Sequence, residues 1–132
     1  MYYDEKKANR IINFIERVCT HVKGELANKP FLLEEWQKDY IRELFGTMND
    51  DGTRQYRTSY VQIPRKNGKS NMLAAIGLAM LFVEKEQGAE IFCCASSRDQ
   101  AAAIFDVCKQ MIRNSPLLMN ACKVFRNSVV LN

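Results

Sequence analysis

Gln62 to Ser70 read QIPRKNGKS, and the fold of the chain turns on what this stretch can hold. Its last three residues, Gly68, Lys69 and Ser70, supply in order what a phosphate loop requires. A glycine stands where a Cβ would collide with phosphate, a lysine can reach the β/γ oxygens, and a hydroxyl can bind Mg²⁺. Such a loop also needs backbone N–H groups converging at a helix N-terminus, where the dipole favours an anion. The place where glycine ordinarily opens the loop is taken by Ile63, followed by Pro64, so proline would set the turn that glycine usually eases. Arg65 and Lys66 put two cations beside the phosphates, or else form a solvated basic turn, and Asn67 completes the loop. An arginine in this position can contact γ-phosphate and respond to its loss.

The flanks have the context a phosphate loop needs. Tyr56 to Ile63, YRTSYVQI, is β-branched and aromatic and is predicted as a strand. Lys69 to Val83 is predicted as a long apolar helix rich in alanine, leucine and methionine. After the Gln87-Gly88 turn, Ala89 to Ala95, AEIFCCA, is a short continuous apolar run of the kind buried on both faces of a sheet. Ser96 or Ser97 is placed to cap a helix from Asp99 to Arg113, which Ser115-Pro116 ends, and Val124 to Asn132, VFRNSVVLN, is predicted as a third strand. Strand, loop, helix, strand, helix, strand is the order of an α/β domain, here a P-loop NTPase-type parallel sheet flanked by helices and cut short.

Upstream, Asp4 to Val22 has Ile11, Ile12, Phe14, Ile15, Val18 and Val22 at helical spacing, with Lys6, Lys7, Arg10 and Arg17 mostly on the other side. His21 near its end is expected as a helix-end cation or plain surface. Gly24 and Pro30 mark a loop. A second helix is predicted over Leu33 to Phe45, with Trp36, Tyr40, Ile41, Leu44 and Phe45 as its stripe and Gly46 as its end; Asn49 to Gln55 is a polar turn. The chain thus divides into an N-terminal helical lead-in, 1–32, and a partial P-loop ATPase domain, 33–132.

The 132 residues, 47% hydrophobic and 26% charged, suit one globular domain and argue against disorder. A net charge of +4 permits a nucleic-acid partner without requiring one. Five cysteines, an odd number with no C-x-x-C pair, predict neither a disulfide framework nor a zinc site, but reduced and mostly buried thiols. The charged start MYYDEKKANR has no signal-peptide core, and the apolar run from Met72 to Val83 is interrupted and too short for a bilayer. A soluble intracellular protein with no membrane partner is expected.

Beyond the loop, Leu33 to Gln37 read LEEWQ, Glu90 to Ala101 read EIFCCASSRDQA, and Met111 to Leu117 read MIRNSPL. Together with PRKNGKS and its feeding strand, these stretches resemble, in order and distance, the large terminase subunit of tailed phages. The resemblance runs from about Leu33 to the C-terminus. It implies the front part of an ATP-driven motor that packages double-stranded DNA into proheads, with ATP and Mg²⁺ as its cofactors. Its implied partners are other large subunits in a ring, the small subunit and the portal protein, in the cytoplasm of a bacterial host. Carried over, Lys69 would bind β/γ-phosphate, Ser70 would bind Mg²⁺, Arg65 would be the loop arginine, and Gln37 would read the adenine edge with Trp36 packed close by. Trp36 can equally be a core residue of its helix, Gln37 a solvated surface amide, and Arg98 and Gln100 either face DNA or a neighbouring subunit or merely start a helix.

In this family a later apolar strand ends in Asp-Glu and supplies the carboxylates that order Mg²⁺ and the attacking water. VVLN is not that motif, and the acidic cluster of a nuclease domain is absent from these residues. The chain by itself is therefore expected to bind nucleotide and scarcely hydrolyse it. Two other readings stand beside this one. One is a helicase-like P-loop ATPase, against which the proline-arginine loop without its first glycine argues; the other is a non-catalytic chain that binds DNA or assembles with a full-length partner through its basic surface.

Overall fold

The first helix starts where Asp4, in extended backbone, turns its carboxylate onto the N–H of Lys7 at 3.1 Å. Such a cap satisfies one of the donors that a helix start leaves over. This structure, a computed structural model, describes residues 1–22, 24–63, 69–84 and 88–132. Along it run β1 (Tyr2–Tyr3), α1 (Glu5–Val18), α2 (Glu35–Gly46), β2 (Thr47–Met48), α3 (Lys69–Phe82), α4 (Arg98–Arg113), α5 (Pro116–Ala121), β3 (Cys122–Val124) and β4 (Val129–Leu131).

The helices fall close to where capping residues and periodicity put them. Ser97 accepts from the N–H of Gln100 at 3.2 Å and opens α4. Ser115 accepts from the N–H of Leu118 at 3.3 Å and, with Pro116 in the first turn, opens α5 instead of only ending α4. Ala8, Ile11, Ile12 and Ile15 form the buried stripe of α1, and Ile41 and Phe45 that of α2. α3 buries Met72, Ala74, Ala75, Ile76, Leu78 and Ala79. The alanines leave room for neighbours on more than one side. α1 packs against both α2 and α3, α3 against α4, and α4 against α5, so one buried cluster joins all of these except the ends.

The strands depart from expectation. Among the described residues there are two sheets, each of two antiparallel strands, and not a parallel sheet. β1 pairs with β2, Tyr2 opposite Met48 and Tyr3 opposite Thr47, while Asp4 donates its N–H to the carbonyl of Gly46 at 2.7 Å. The Tyr3 ring lies so close to Gly46 that a Cβ there would collide with it. The expected third strand, Val124–Asn132, is instead a hairpin: β3 pairs antiparallel with β4, with Cys122 opposite Leu131 and Val124 opposite Val129. It turns on Phe125, whose N–H reaches the carbonyl of Ser128 at 2.8 Å. Among the described residues, 56–63 and 89–95 have no strand partner. The AEIFCCA segment, expected between two faces of a sheet, is exposed, Phe92 to 76%. A central strand is buried only when hydrogen-bonded neighbours hold it beneath flanking helices, and among the described residues no strand pairs with it.

Cys19, Cys108 and Cys122 are buried, whereas Cys93 and Cys94 are exposed. Burial, with the neighbouring thiol adding to it, pushes Cys19 and Cys108 up to about 12 from an ordinary 9.0. Burial also raises Cys122, and partial desolvation, with the Cys94 thiol adding to it, raises the exposed Cys93. Thiols held protonated in apolar surroundings are poor nucleophiles.

Two measurements check this packing. Phe45→Ala, at a fully buried ring, lowers unfolding free energy in urea by about 3–5 kcal/mol, whereas Leu32→Ala, at a side chain exposed to 66%, changes it by less than about 0.5 kcal/mol. Titration with Ellman's reagent near pH 8 labels Cys93 and Cys94 in the folded chain, and reaches Cys19, Cys108 and Cys122 only after denaturation.

Candidate nucleotide site

α3 begins at Lys69, so Lys69 and Ser70 lie in its first turn, and both are exposed. No acidic residue lies in that turn. The start of an α-helix presents unpaired N–H groups and the positive end of the dipole, and a lysine and a hydroxyl there extend the anion-binding capacity. Pro64, Arg65, Lys66, Asn67 and Gly68, the body of the expected loop, lie outside the described residues. Ile63, half-buried, leads up to them.

The start of α3 is tied to the strip of chain that follows α1. Asn71 Nδ2 lies 3.5 Å from Nδ1 of His21, and the His21 ring meets Phe31 edge-on at 5.0 Å. Next to it, Thr20 Oγ1 accepts from Asn114 Nδ2 at 2.9 Å, which ties the same strip of chain to the end of α4. The strip is held in place by Phe31, whose N–H donates to the carbonyl of Cys19 at 3.0 Å. His21 therefore lies beyond α1, half-buried and packed, and is not the helix-end cation or surface group expected of it. Sequence reading missed Thr20, Asn71 and Asn114. Their contacts join residues 50 and 94 positions apart, and no local pattern carries that information.

Trp36 and Gln37 are brought together on Glu34 at the start of α2. Gln37 is buried to 3% exposure, and its Oε1 accepts from the N–H of Glu34 at 2.8 Å. This is the returning arm of a capping box, and it rules out the solvated surface amide as a description of Gln37. The bond uses one lone pair of the amide oxygen, and the Nε2 donors are left to face a further partner. Trp36 is exposed to 37% and donates Nε1–H to the Glu34 carboxylate at 2.6 Å, so Ile41 and Phe45, and not Trp36, supply the buried stripe. No hydrogen bond joins this pair to Lys69 or Ser70 among the described residues; the two helix starts share a support, because α2 and α3 both pack on α1.

Arg98 and Gln100 occupy the exposed first turn of α4, where Gln100 accepts from Ser96 Oγ at 2.7 Å. No group of three or more His, Cys, Asp or Glu that could hold a metal occurs among the described residues. A divalent cation at α3 would rest on the Ser70 hydroxyl and on phosphate oxygens. Among the described residues no helix is long and apolar enough to cross a membrane.

Comparison with known proteins agrees with this architecture. Residues 35–131 match the family described as the terminase large subunit, ATPase domain. The large terminase subunit of Enterobacteria phage HK97 is 37% identical over 113 residues, covering 85% of this chain and 21% of that protein. The crystal structure of the HK97 bacteriophage large terminase superposes with a TM-score of 0.79 at 32% identity, covering 98% of this chain and 25% of that one. The chain thus spans about a fifth to a quarter of the length of these relatives. From α2 through the C-terminal hairpin, it belongs to the family of terminase large subunit ATPase domains.

Proposed function

We propose that the chain is the ATP-binding front part of a phage or prophage DNA-packaging motor. The observation that carries this is an exposed Lys69 and Ser70 opening an apolar, firmly packed helix inside a stretch that matches a packaging ATPase family. In this reading residues 33–132 are a partial ATPase domain and 1–32 its helical support. Segments 56–63 and 89–95 are the strands of a parallel sheet that forms in the complete domain, and the exposed apolar character of Ile91 and Phe92 supports this.

The residues present suit a nucleoside triphosphate. Lys69 neutralises the β/γ-phosphates, backbone N–H groups from Asn67 to Ser70 hold their oxygens, and Arg65 senses the γ-phosphate, with Pro64 and Lys66 shaping the approach. Ser70 holds Mg²⁺, which when bound offsets charge that builds on the phosphates. Gln37 reads the adenine edge through Nε2, and Trp36 lies beside it. Double-stranded DNA is the substrate of the whole motor, and further large subunits in a ring, the small subunit and the portal protein are its partners, in the cytoplasm of a bacterial host. Among the described residues no carboxylate stands at the end of a core strand after the loop, and Asp99 and Asp106 lie on α4. Binding therefore exceeds turnover in this chain.

Lys69→Ala weakens ATP binding in calorimetry by about 1.5–3 kcal/mol. Equal affinity in mutant and parent would refute the phosphate site, and steady-state hydrolysis by residues 1–132 of order 1 s⁻¹, lost in the mutant, would show that a catalytic carboxylate lies within them. Gln37→Glu separates the two roles of that side chain. A carboxylate can still accept from the N–H of Glu34, but its buried charge lowers thermal stability, so the chain is assayed well below its melting point, where loss of Nε2 erodes the preference for ATP over GTP. Unchanged discrimination would leave Gln37 as a helix cap alone.

A further inference from the structure

We propose that His21 is a positioning residue for the phosphate-binding turn: its ring nitrogen Nδ1 holds Asn71, and through Asn71 it fixes the Lys69 and Ser70 groups that take the triphosphate. The inference rests on the nucleotide site proposed above, and it gives that site a support from outside the family match, which begins at residue 35. Asn71 follows Ser70 directly and lies in the first turn of α3. The first turn is where a helix frays, because its N–H groups have no partner within the helix. An asparagine there also has a competing use, since its amide can bond the same backbone N–H groups that a phosphate would occupy. Nδ2 of Asn71 lies 3.5 Å from Nδ1 of His21, which draws the amide toward the strip of chain after α1.

His21 has the rigidity an anchor needs. Its N–H donates to the carbonyl of Lys29 and its carbonyl accepts from the N–H of Asn28, both at 2.9 Å. Its ring sits edge-on against the buried Phe31, with centroids 5.0 Å apart and planes at 73°. Thr20 beside it is fixed to Asn114 at 2.9 Å. An amide nitrogen can only donate, so the bond requires Nδ1 to accept and the ring proton to sit on Nε2. At 3.5 Å the bond is long, and its value lies in direction more than in strength. The need for an acceptor separates positioning from packing. The ring's contact with Phe31 requires no particular nitrogen, whereas the hold on Asn71 requires an acceptor at the place of Nδ1.

The test is calorimetric titration of the full chain with ATP and Mg²⁺, with the melting temperature without nucleotide as the control for packing. In His21→Asn the new Oδ1 stands near the place of Nδ1, and in His21→Gln the polar end reaches toward the place of Nε2. His21→Gln should weaken ATP binding about threefold to tenfold, the range of one net hydrogen bond, while His21→Asn stays within about twofold of the parent. Both lose the ring's contact with Phe31, so a purely structural residue would move the two variants together. Asn71→Ala removes the other half of the bond with the ring left in place, and should weaken binding as His21→Gln does. The double variant His21→Gln/Asn71→Ala should be no weaker than either single. Equal affinity in the parent, His21→Gln and Asn71→Ala, equal loss in His21→Asn and His21→Gln, or additive losses in the double variant would each overturn the proposal. Should His21→Gln not fold, unchanged affinity in Asn71→Ala overturns it alone. A parent whose ATP binding is lost in Lys69→Ala but unmoved by these changes refutes this inference and keeps the nucleotide site; a parent that binds no ATP refutes both.

Discussion

Burial of the stripe Ile11, Ile12 and Ile15 along α1 is the constraint that the rest of the structure depends on. Each of these side chains is worth roughly 1.5–3 kcal/mol when removed from water, and the stripe lies against two helices at once. α2 contributes Ile41 and Phe45 to that contact, and α3 contributes Met72 and its alanines. Because both helices rest on one support, their N-terminal ends, which carry Trp36 with Gln37 and Lys69 with Ser70, are positioned by the same buried surface. A phosphate-binding helix must not shift when its ligand arrives, and packing at crystal-like density resists such movement. The lead-in helix is thus part of the scaffold of the proposed nucleotide site, even though the family match begins only at α2.

The same economy of contacts appears at the helix ends. Asp4, Ser97 and Ser115 each accept from a backbone N–H that the helix leaves over. Gln37 is different, because its oxygen closes a capping box while its nitrogen stays available for a second bond. A buried amide with divided duty suits a reader of a purine edge: its geometry is already set by the cap, so less orientational freedom remains to be lost on binding. Thr20 and His21 act in the same spirit from outside the helices, linking the end of α4 to the first turn of α3.

The segments that failed to form strands are informative in physical terms. Ala89–Ala95 has the composition of a strand buried on both faces. Strand pairing is another matter, since every ladder hydrogen bond needs a partner contributed from elsewhere in the chain. Val124–Asn132 found such a partner locally, in Cys122–Val124, and folded into a hairpin. Short-range antiparallel closure costs little chain entropy compared with a parallel crossover, so it forms from the residues at hand.

By itself the sequence determined α1 to α4 to within a few residues, the serine cap of α4 and the residue types at the α3 start. Those features arise from interactions within a few residues, whether an isoleucine recurring on one face, a serine reaching the third N–H ahead, or Gly-Lys-Ser before an apolar run. The sequence also carried the family, through motifs in a fixed order. Only the tertiary structure decided that His21 is a packed tether and not a surface cation, that Gln37 is buried on Glu34, that Trp36 lies at the rim, and how the apparent strands pair. Those outcomes rest on contacts between residues far apart along the chain, and such contacts exist only once the α1 stripe has gathered the helices around it.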